Sequence, residues 1–323
     1  MESLLWVATH FFATSYSLGA SVKKLRSIVA IPGDTMYLRE QVAAAQATAA
    51  RLGLELEVVS ANMDAVGQGQ QLLKYVQARE DLRPDAILLE PVSAAGLPRV
   101  AEAAVAAGIG WVVSNASVDY ISALRAKAKA PVFLVSQDHV AIGRLQGQQI
   151  GALLPAGGSV FYLRGPGMSA IASRRFEGID SGKPKNVVLK ALKVQGASAE
   201  DAYRAVCSWL SLSTGRPEAI NFIFSQNADF ILGARKAFES STSEPDRSKW
   251  LAIPCVGVGV SKQVKSLVDQ DILRAAVLTS LTHDKALEML VHAIKTGTQP
   301  PEQTFVEAHS YPSLEDLAQR KAK

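Results

Sequence analysis

Two hydrophobic periods alternate along this chain. Ile28, Val29, Ala30 and Ile31 form a short continuous apolar run that stops at Pro32 and Gly33. From Leu38 the apolar positions recur at Val42, Ala45, Ala49 and Leu52, the spacing of one helix face. Gly53 follows, where a helix end favours a residue tolerant of the left-handed conformation. Leu54, Leu56 and Val58 then alternate with Glu55 and Glu57, the period of a half-buried strand. Residues 27–64 therefore predict strand, loop, helix, strand, a right-handed crossover onto a parallel sheet. Ligands of such open sheets sit at the carboxyl ends of the strands. The loop at 32–37 is accordingly the first place to look for function.

The alternation continues. A helix is expected at 70–78, a buried strand at 85–89 closed by Glu90-Pro91, a helix at 97–107 stopped by Gly108, and a strand at 109–113 closed by Ser114-Asn115. A polar segment, 116–130, leads to the strand at 132–135. A second cycle begins with a helix at 139–154 and a strand at 159–163. Helices at 170–179, 198–212 (with Ser198 as N-cap) and 228–238 alternate with strands at 187–194 and 220–224. A polar stretch, 239–249, reads as a surface loop; strands at 255–258 and 273–278 and a helix at 284–295, stopped by Gly297, complete the pattern. Alternation of this kind is an α/β chain with doubly wound parallel sheets. It contains two βαβ series of similar size and no Gly/Ser-rich linker between them.

Composition narrows the class. The 323 residues suit two domains, and 48% hydrophobic against 20% charged residues supplies real cores. The net charge of +4 is mild, and the basic residues are scattered except at 22–26 and 320–323. With neither a basic face nor a recognition motif, nucleic acid is not an expected partner. Cys207 and Cys255 read as buried free thiols. Residues 1–26 have an apolar bias, but Glu2 precedes it and His10 interrupts it; they read as an N-terminal extension or a degenerate signal peptide.

Several chemistries find no support. Gly165-Pro166-Gly167-Met168 precedes a helix but has the spacing of neither a P-loop nor a dinucleotide fingerprint. The five histidines show no metal-binding spacing. No G-x-S-x-G elbow is present, and no Ser, His and Asp are ordered as a triad. No catalytic residue, metal ligand or cofactor is therefore assigned.

Four stretches, taken in order, resemble a known family. They are Arg51-Leu52-Gly53-Leu54 after the first helix; Ile87-Leu88-Leu89-Glu90-Pro91; Val135-Ser136-Gln137-Asp138-His139 with Gly143 and Gly147; and Ile223-Phe224-Ser225-Gln226-Asn227 with Asp229 and Gly233-Ala234. Over about residues 27–310 the chain is similar to the type I periplasmic binding proteins that bind sugars for ABC importers, and to the sensor domains of lactose/galactose-repressor-type regulators. The resemblance implies two Rossmann-like lobes joined by several crossings, with a ligand cleft between them. Lobe 1 would be 27–136 plus 280–308, and lobe 2 would be 137–279 plus 309–323. It implies ligand contacts from Asp34, Thr35, Tyr37, Glu90, Asn115 and Gln137, and from Ser173, Asn227, Gly259 and Thr279 in the second lobe.

The chain departs from that pattern where charged groups are usual. Ala116 follows Asn115, Gly259 replaces an aspartate, and Arg175 reads as pairing within its own lobe. The resemblance implies a monomeric solute-binding protein, periplasmic or otherwise extracytoplasmic, that clamps a sugar or sugar-like ligand for an ABC permease without catalysis. The alternative is a ligand-sensing domain working with a separate regulator or membrane receptor, which would leave a cytoplasmic location open. Residues 1–26 are not patterned as a helix-turn-helix, which disfavours a one-chain repressor.

Overall fold

The computed structural model describes residues 24–93, 97–167, 169–212 and 220–319. Nearly all of the proposed N-terminal extension, the basic C-terminal tail and Met168 lie outside the described residues.

The first half alternates as expected: β1 (Arg26–Ile31), α1 (Met36–Leu52), β2 (Glu55–Ser60), α2 (Ala65–Gln77), β3 (Ala86–Leu89), α3 (Pro98–Ala106), β4 (Gly110–Ser114), α4 (Ile121–Arg125) and β5 (Val132–Gln137). The second half runs α5 (His139–Leu153), β6 (Gly158–Arg164), α6 (Ala170–Gly182), β7 (Val187–Lys193), α7 (Ala199–Ser211), β8 (Phe222–Ser225), α8 (Ala228–Ser241), α9 (Asp246–Ala252), β9 (Cys255–Val260), α10 (Ser261–Asp269) and β10 (Ala275–Thr279). The chain ends through α11 (His283–Thr296), β11 (Gln303–Val306), β12 (Ala308–Tyr311) and α12 (Leu314–Gln319).

Two six-stranded sheets result, in the orders β11-β5-β4-β3-β1-β2 and β12-β10-β9-β8-β6-β7. All described pairings are parallel except β10 with β12. The chain passes between the sheets three times, after β5, after β10 and between β11 and β12. The central strands read as unbroken apolar runs because both faces are covered. In β1, Ile28 and Ala30 join one core while Val29 and Ile31 join the core on the opposite face.

The helix ends follow their sequences. Gly53 and Gly297 take left-handed conformations, with φ of 70° and 68°, at the ends of α1 and α11. Ser198 caps α7 in a reciprocal capping box with Asp201. Ser198→Ala is expected to lower stability by about 1 kcal/mol, read from a urea transition. An unchanged midpoint would show that the cap contributes nothing.

Three expectations need correction. The segment 116–130 carries α4, because Ile121 and Leu124 turn into the core at helical spacing. The stretch 239–249 is not a single loop. Helix α8 extends to Ser241, and α9 follows because Trp250 is buried against Phe238, with ring centroids 4.8 Å apart. Cys207 is only half-buried, and its Sγ lies 3.1 Å from the Ser241 hydroxyl, whereas Cys255 is buried; both are free thiols.

Candidate functional site

The strands of both sheets direct their carboxyl ends toward one cleft. Pro32–Tyr37 follows β1, Glu90 follows β3, Asn115 follows β4 and Gln137 ends β5. From the other sheet come Arg164 at the end of β6, Gln226 and Asn227 after β8, and Thr279 at the end of β10. The lobes meet across the cleft. The Arg174 guanidinium lies 3.5 Å from the Ser117 hydroxyl, and Arg175 Nη2 donates to Gln137 Oε1 at 3.0 Å. Gln137 Nε2 in turn lies 3.4 Å from the carbonyl of Ser280, which ties two of the crossings together.

On the first lobe, Glu90 and Asn115 form the central pair. Asn115 Nδ2 donates to Glu90 Oε1 at 3.2 Å. Asn115 is 6% exposed and sits at φ 52°, in the left-handed region that asparagine tolerates better than most side chains. The outer oxygens of the pair, Glu90 Oε2 and Asn115 Oδ1, are closed off from solvent and have no hydrogen-bond partner within the protein. Burial pushes the Glu90 carboxyl up to about 7, against the smaller opposing effect of the Asn115 amide. Buried polar atoms are normally paired, so two adjacent acceptors left open at strand ends mark a place for ligand donors.

Glutamines hold this geometry. Gln68 of α2, fully buried, donates to the Glu90 carbonyl and accepts from the Val92 amide, both at 2.9 Å. Gln226 does the same for the second lobe, accepting from Gly165 N at 2.9 Å and donating to Ala172 O at 2.8 Å. Gln41 accepts from the amides of Thr282 and His283, both at 3.1 Å, at the start of α11. Its Nε2 donates to Tyr37 Oη at 2.5 Å and Thr282 Oγ1 at 3.1 Å. For Gln41 and Gln68 the sequence signal was a polar residue among the apolar positions of a helix, which alone does not separate a buried glutamine from a surface one.

Arg175 departs from the sequence reading. It does not pair only within its own lobe. Besides reaching Gln137, its Nη1 donates to the Gln226 carbonyl at 2.5 Å, and its Nε lies 3.4 Å from His139 Nδ1. Burial lowers the Arg175 pKa, partly offset by the nearby Tyr162 and Tyr37 hydroxyls. His139 is 5% exposed, and burial followed by the charges of Arg175 and Arg174 lowers its imidazole to about 3, so it is neutral. With Nδ1 accepting from Arg175, the proton sits on Nε2, a buried donor with no partner.

The remaining expected residues occupy varied places. Asp34 is exposed and pairs with Arg39, with Nε to Oδ1 at 2.7 Å. Thr35 caps α1, accepting from Leu38 N at 3.2 Å. Tyr37 packs against the core beneath α1 while its hydroxyl joins Gln41, and burial followed by the Glu90 charge raises its pKa. Ser173 is exposed on α6, 3.5 Å from Arg164 Nη2. Asn227 caps α8 through Asp229 N at 3.1 Å and donates to Ala197 O at 3.2 Å, so both ends of its amide are engaged locally. A Cβ at Gly259 would stand 2.5 Å from Val264 Cγ2, and Thr279 is buried at the end of β10. The structure thus brings Glu90, Asn115 and Gln137 together, and adds Arg175 and His139. Among the described residues no three His, Cys, Asp or Glu side chains converge as a metal site, and no helix is long and apolar enough to cross a membrane.

The profile of the periplasmic binding protein domain matches residues 28–298. The chain belongs to the type I periplasmic binding protein family, α/β proteins of two lobes whose characterised forms bind solutes outside the cytoplasm. No curated protein matches the sequence significantly. Solved structures do. A solute-binding protein of an ABC transporter from Actinobacillus succinogenes 130z, with bound D-allose, aligns at a TM-score of 0.75 and 17% identity, covering 92% of this chain and 100% of that one. The Caulobacter myo-inositol binding protein aligns at 0.73 and 17%, covering 95% and 100%. A Mycobacterium smegmatis protein in complex with β-D-fucofuranose aligns at 0.73 and 21%, covering 92% and 93%. At these identities the likeness establishes the fold.

Proposed function

We propose that this chain is an extracytoplasmic solute-binding protein that clamps a small polyhydroxylated ligand, a sugar or a sugar-like molecule, and presents it to an ABC permease. The observation that carries this reading is the pair of half-buried Glu90 and buried Asn115, whose outer oxygens are closed off and unpartnered at the ends of adjacent strands. Hydroxyl donors of a sugar ring meet that requirement. Family membership and the sugars and the inositol held by structural relatives support it.

The lobes divide near 27–136 plus 280–308 and 137–279 plus 309–323, with Gln137, the last residue of β5, on the first lobe's side of that boundary, and the protein acts as a monomer. Ligand closes the lobes because contacts to both walls exist only in the closed state. Glu90, Asn115 and Gln137 hold it from one side, and Arg175 and His139 from the other. Thr35, Asn227 and Gly259 shape the loops around it, and Asp34, Tyr37, Ser173 and Thr279 lie at its margins. The protein performs no chemistry on the ligand.

A thermal-shift screen against neutral sugars, polyols, sugar acids and amino sugars tests this. A ligand at 100 times its dissociation constant adds about 2.7 kcal/mol to stability. Asn115→Ala is expected to weaken the best ligand by about 1–2 kcal/mol, measured by calorimetric titration. If no compound in the screen raises the melting temperature at millimolar concentration, the reading is wrong.

A further inference from the structure

Three guanidinium groups stand on the second lobe's side of the cleft, on β6 and α6. Arg164 ends β6, and Arg174 and Arg175 are neighbours in the first two turns of α6. Among the described residues, none of the three forms a salt bridge.

Their neutral partners leave donors free. Arg175 has five N–H groups, and the protein engages three of its nitrogens with a backbone carbonyl, an amide oxygen and an imidazole. Arg164 lies over the Phe176 ring at 4.3 Å, and its buried Nε has no partner. The neutral His139 contributes another buried donor, Nε2–H. A buried cation compensated only by neutral acceptors is costly. A planar anion accepting from a guanidinium fork offsets that cost with charge-assisted bonds. The first lobe, which meets this wall through Ser117 and Gln137, carries the unpartnered acceptors Glu90 Oε2 and Asn115 Oδ1.

The two walls therefore ask for different ends of one molecule. We infer that the ligand is a sugar acid, a polyhydroxylated carboxylate whose hydroxyls meet Glu90 and Asn115 and whose carboxylate is taken by Arg175 and Arg164. This rests on the solute-binding reading above and specifies its substrate class.

Calorimetric titration with matched pairs tests it: D-galactose against D-galacturonate and D-galactonate, and D-glucose against D-glucuronate and D-gluconate, with D-glucosamine as the cationic member. At pH 7.5 and low salt, at least one acid is expected to bind at least tenfold more tightly than its neutral parent. Arg164→Gln is expected to reduce that preference at least threefold, and Arg175→Gln to abolish most of it. Arg164→Gln carries the test if Arg175→Gln does not fold. A wild-type protein that binds a neutral sugar or glucosamine as tightly as any acid overturns the acid assignment and leaves the solute-binding reading standing. An acid preference untouched by Arg164→Gln in a folded variant also overturns the assignment of the carboxylate to this wall. Failure of all the compounds to bind defeats both.

Discussion

Gly178→Ala is expected to lower stability by about 3 kcal/mol, although alanine is the better helix former. Propensity alone gives the substitution up to about 1 kcal/mol in its favour. Packing decides the sign. Gly178 lies on α6 where it crosses α5, and a Cβ there would stand 2.1 Å from the Val140 carbonyl oxygen and 2.8 Å from the Arg144 amide. The reciprocal position is equally tight, since a Cβ on Gly143 would stand 2.1 Å from the Arg175 carbonyl. These obstacles are backbone atoms, so no side-chain rotation relieves them and the helices must part. Overpacking of that kind costs about 1–3 kcal/mol and occasionally more. Gly151, near the end of α5, is the control. Its Cβ would meet Pro184 at 3.5 Å, an ordinary contact, so Gly151→Ala is expected to be neutral or mildly stabilising. Urea transitions of the two variants settle it, and a Gly178→Ala protein as stable as the parent would remove the close crossing from the account. The crossing also matters to the site, because α5 begins with His139 and α6 carries Arg175. Parting the helices displaces both donors, so ligand affinity is expected to fall in any folded Gly178→Ala protein.

This crossing shows how far the sequence could be read. Gly143 and Gly147 stood out as part of a family-like stretch, but their partners Gly178 and Gly182 did not, since a helix–helix contact joins residues distant in the chain. The βαβ units were legible because each strand is buried on both faces and each helix on one, which writes a period into the sequence. Strands β11 and β12 were not. They are short edge strands whose residues are mostly half-exposed or exposed, so their apolar pattern is faint. In the cleft, the family resemblance singled out Glu90, Asn115 and Gln137, and the structure places all three at or just beyond the ends of neighbouring strands. Arg175 was read as pairing within its own lobe, because its reach to Gln137 depends on the angle at which α6 meets the crossing after β5. Asn227 illustrates the opposite case: asparagine before a helix suits a cap as well as a ligand contact, and the structure shows the cap.

Glu90→Gln is expected to make the ligand-free protein more stable at alkaline pH, by up to about 3 kcal/mol, with the advantage vanishing near pH 4.5. The folded protein holds the Glu90 carboxyl at about 7, against an ordinary value of 4.5, because burial penalises the charged form. Between those values the folded state keeps a proton that the unfolded chain has released. Stability therefore falls as pH rises from about 4.5 through 7 and levels off above, at about 1.4 kcal/mol for each pH unit of the window. Glutamine carries no charge at any pH and can still accept from Asn115 through its carbonyl oxygen, so the penalty disappears while the contact remains. The buried imidazoles act at the other end of the scale. His139 and His283 are lowered by burial to about 3 and about 4, so they weaken the fold as pH falls below the ordinary histidine range. Both proteins share that loss, and it cancels in their difference. Urea transitions of parent and variant from pH 4.5 to pH 8.5 therefore isolate Glu90. A difference that stays constant over this range would mean that the carboxyl is hydrated and titrates normally. The same substitution separates two roles in binding. If ligand hydroxyls donate to the ionised carboxylate, the parent's affinity rises as pH passes 7 and the variant's does not, because a charged acceptor is the stronger one.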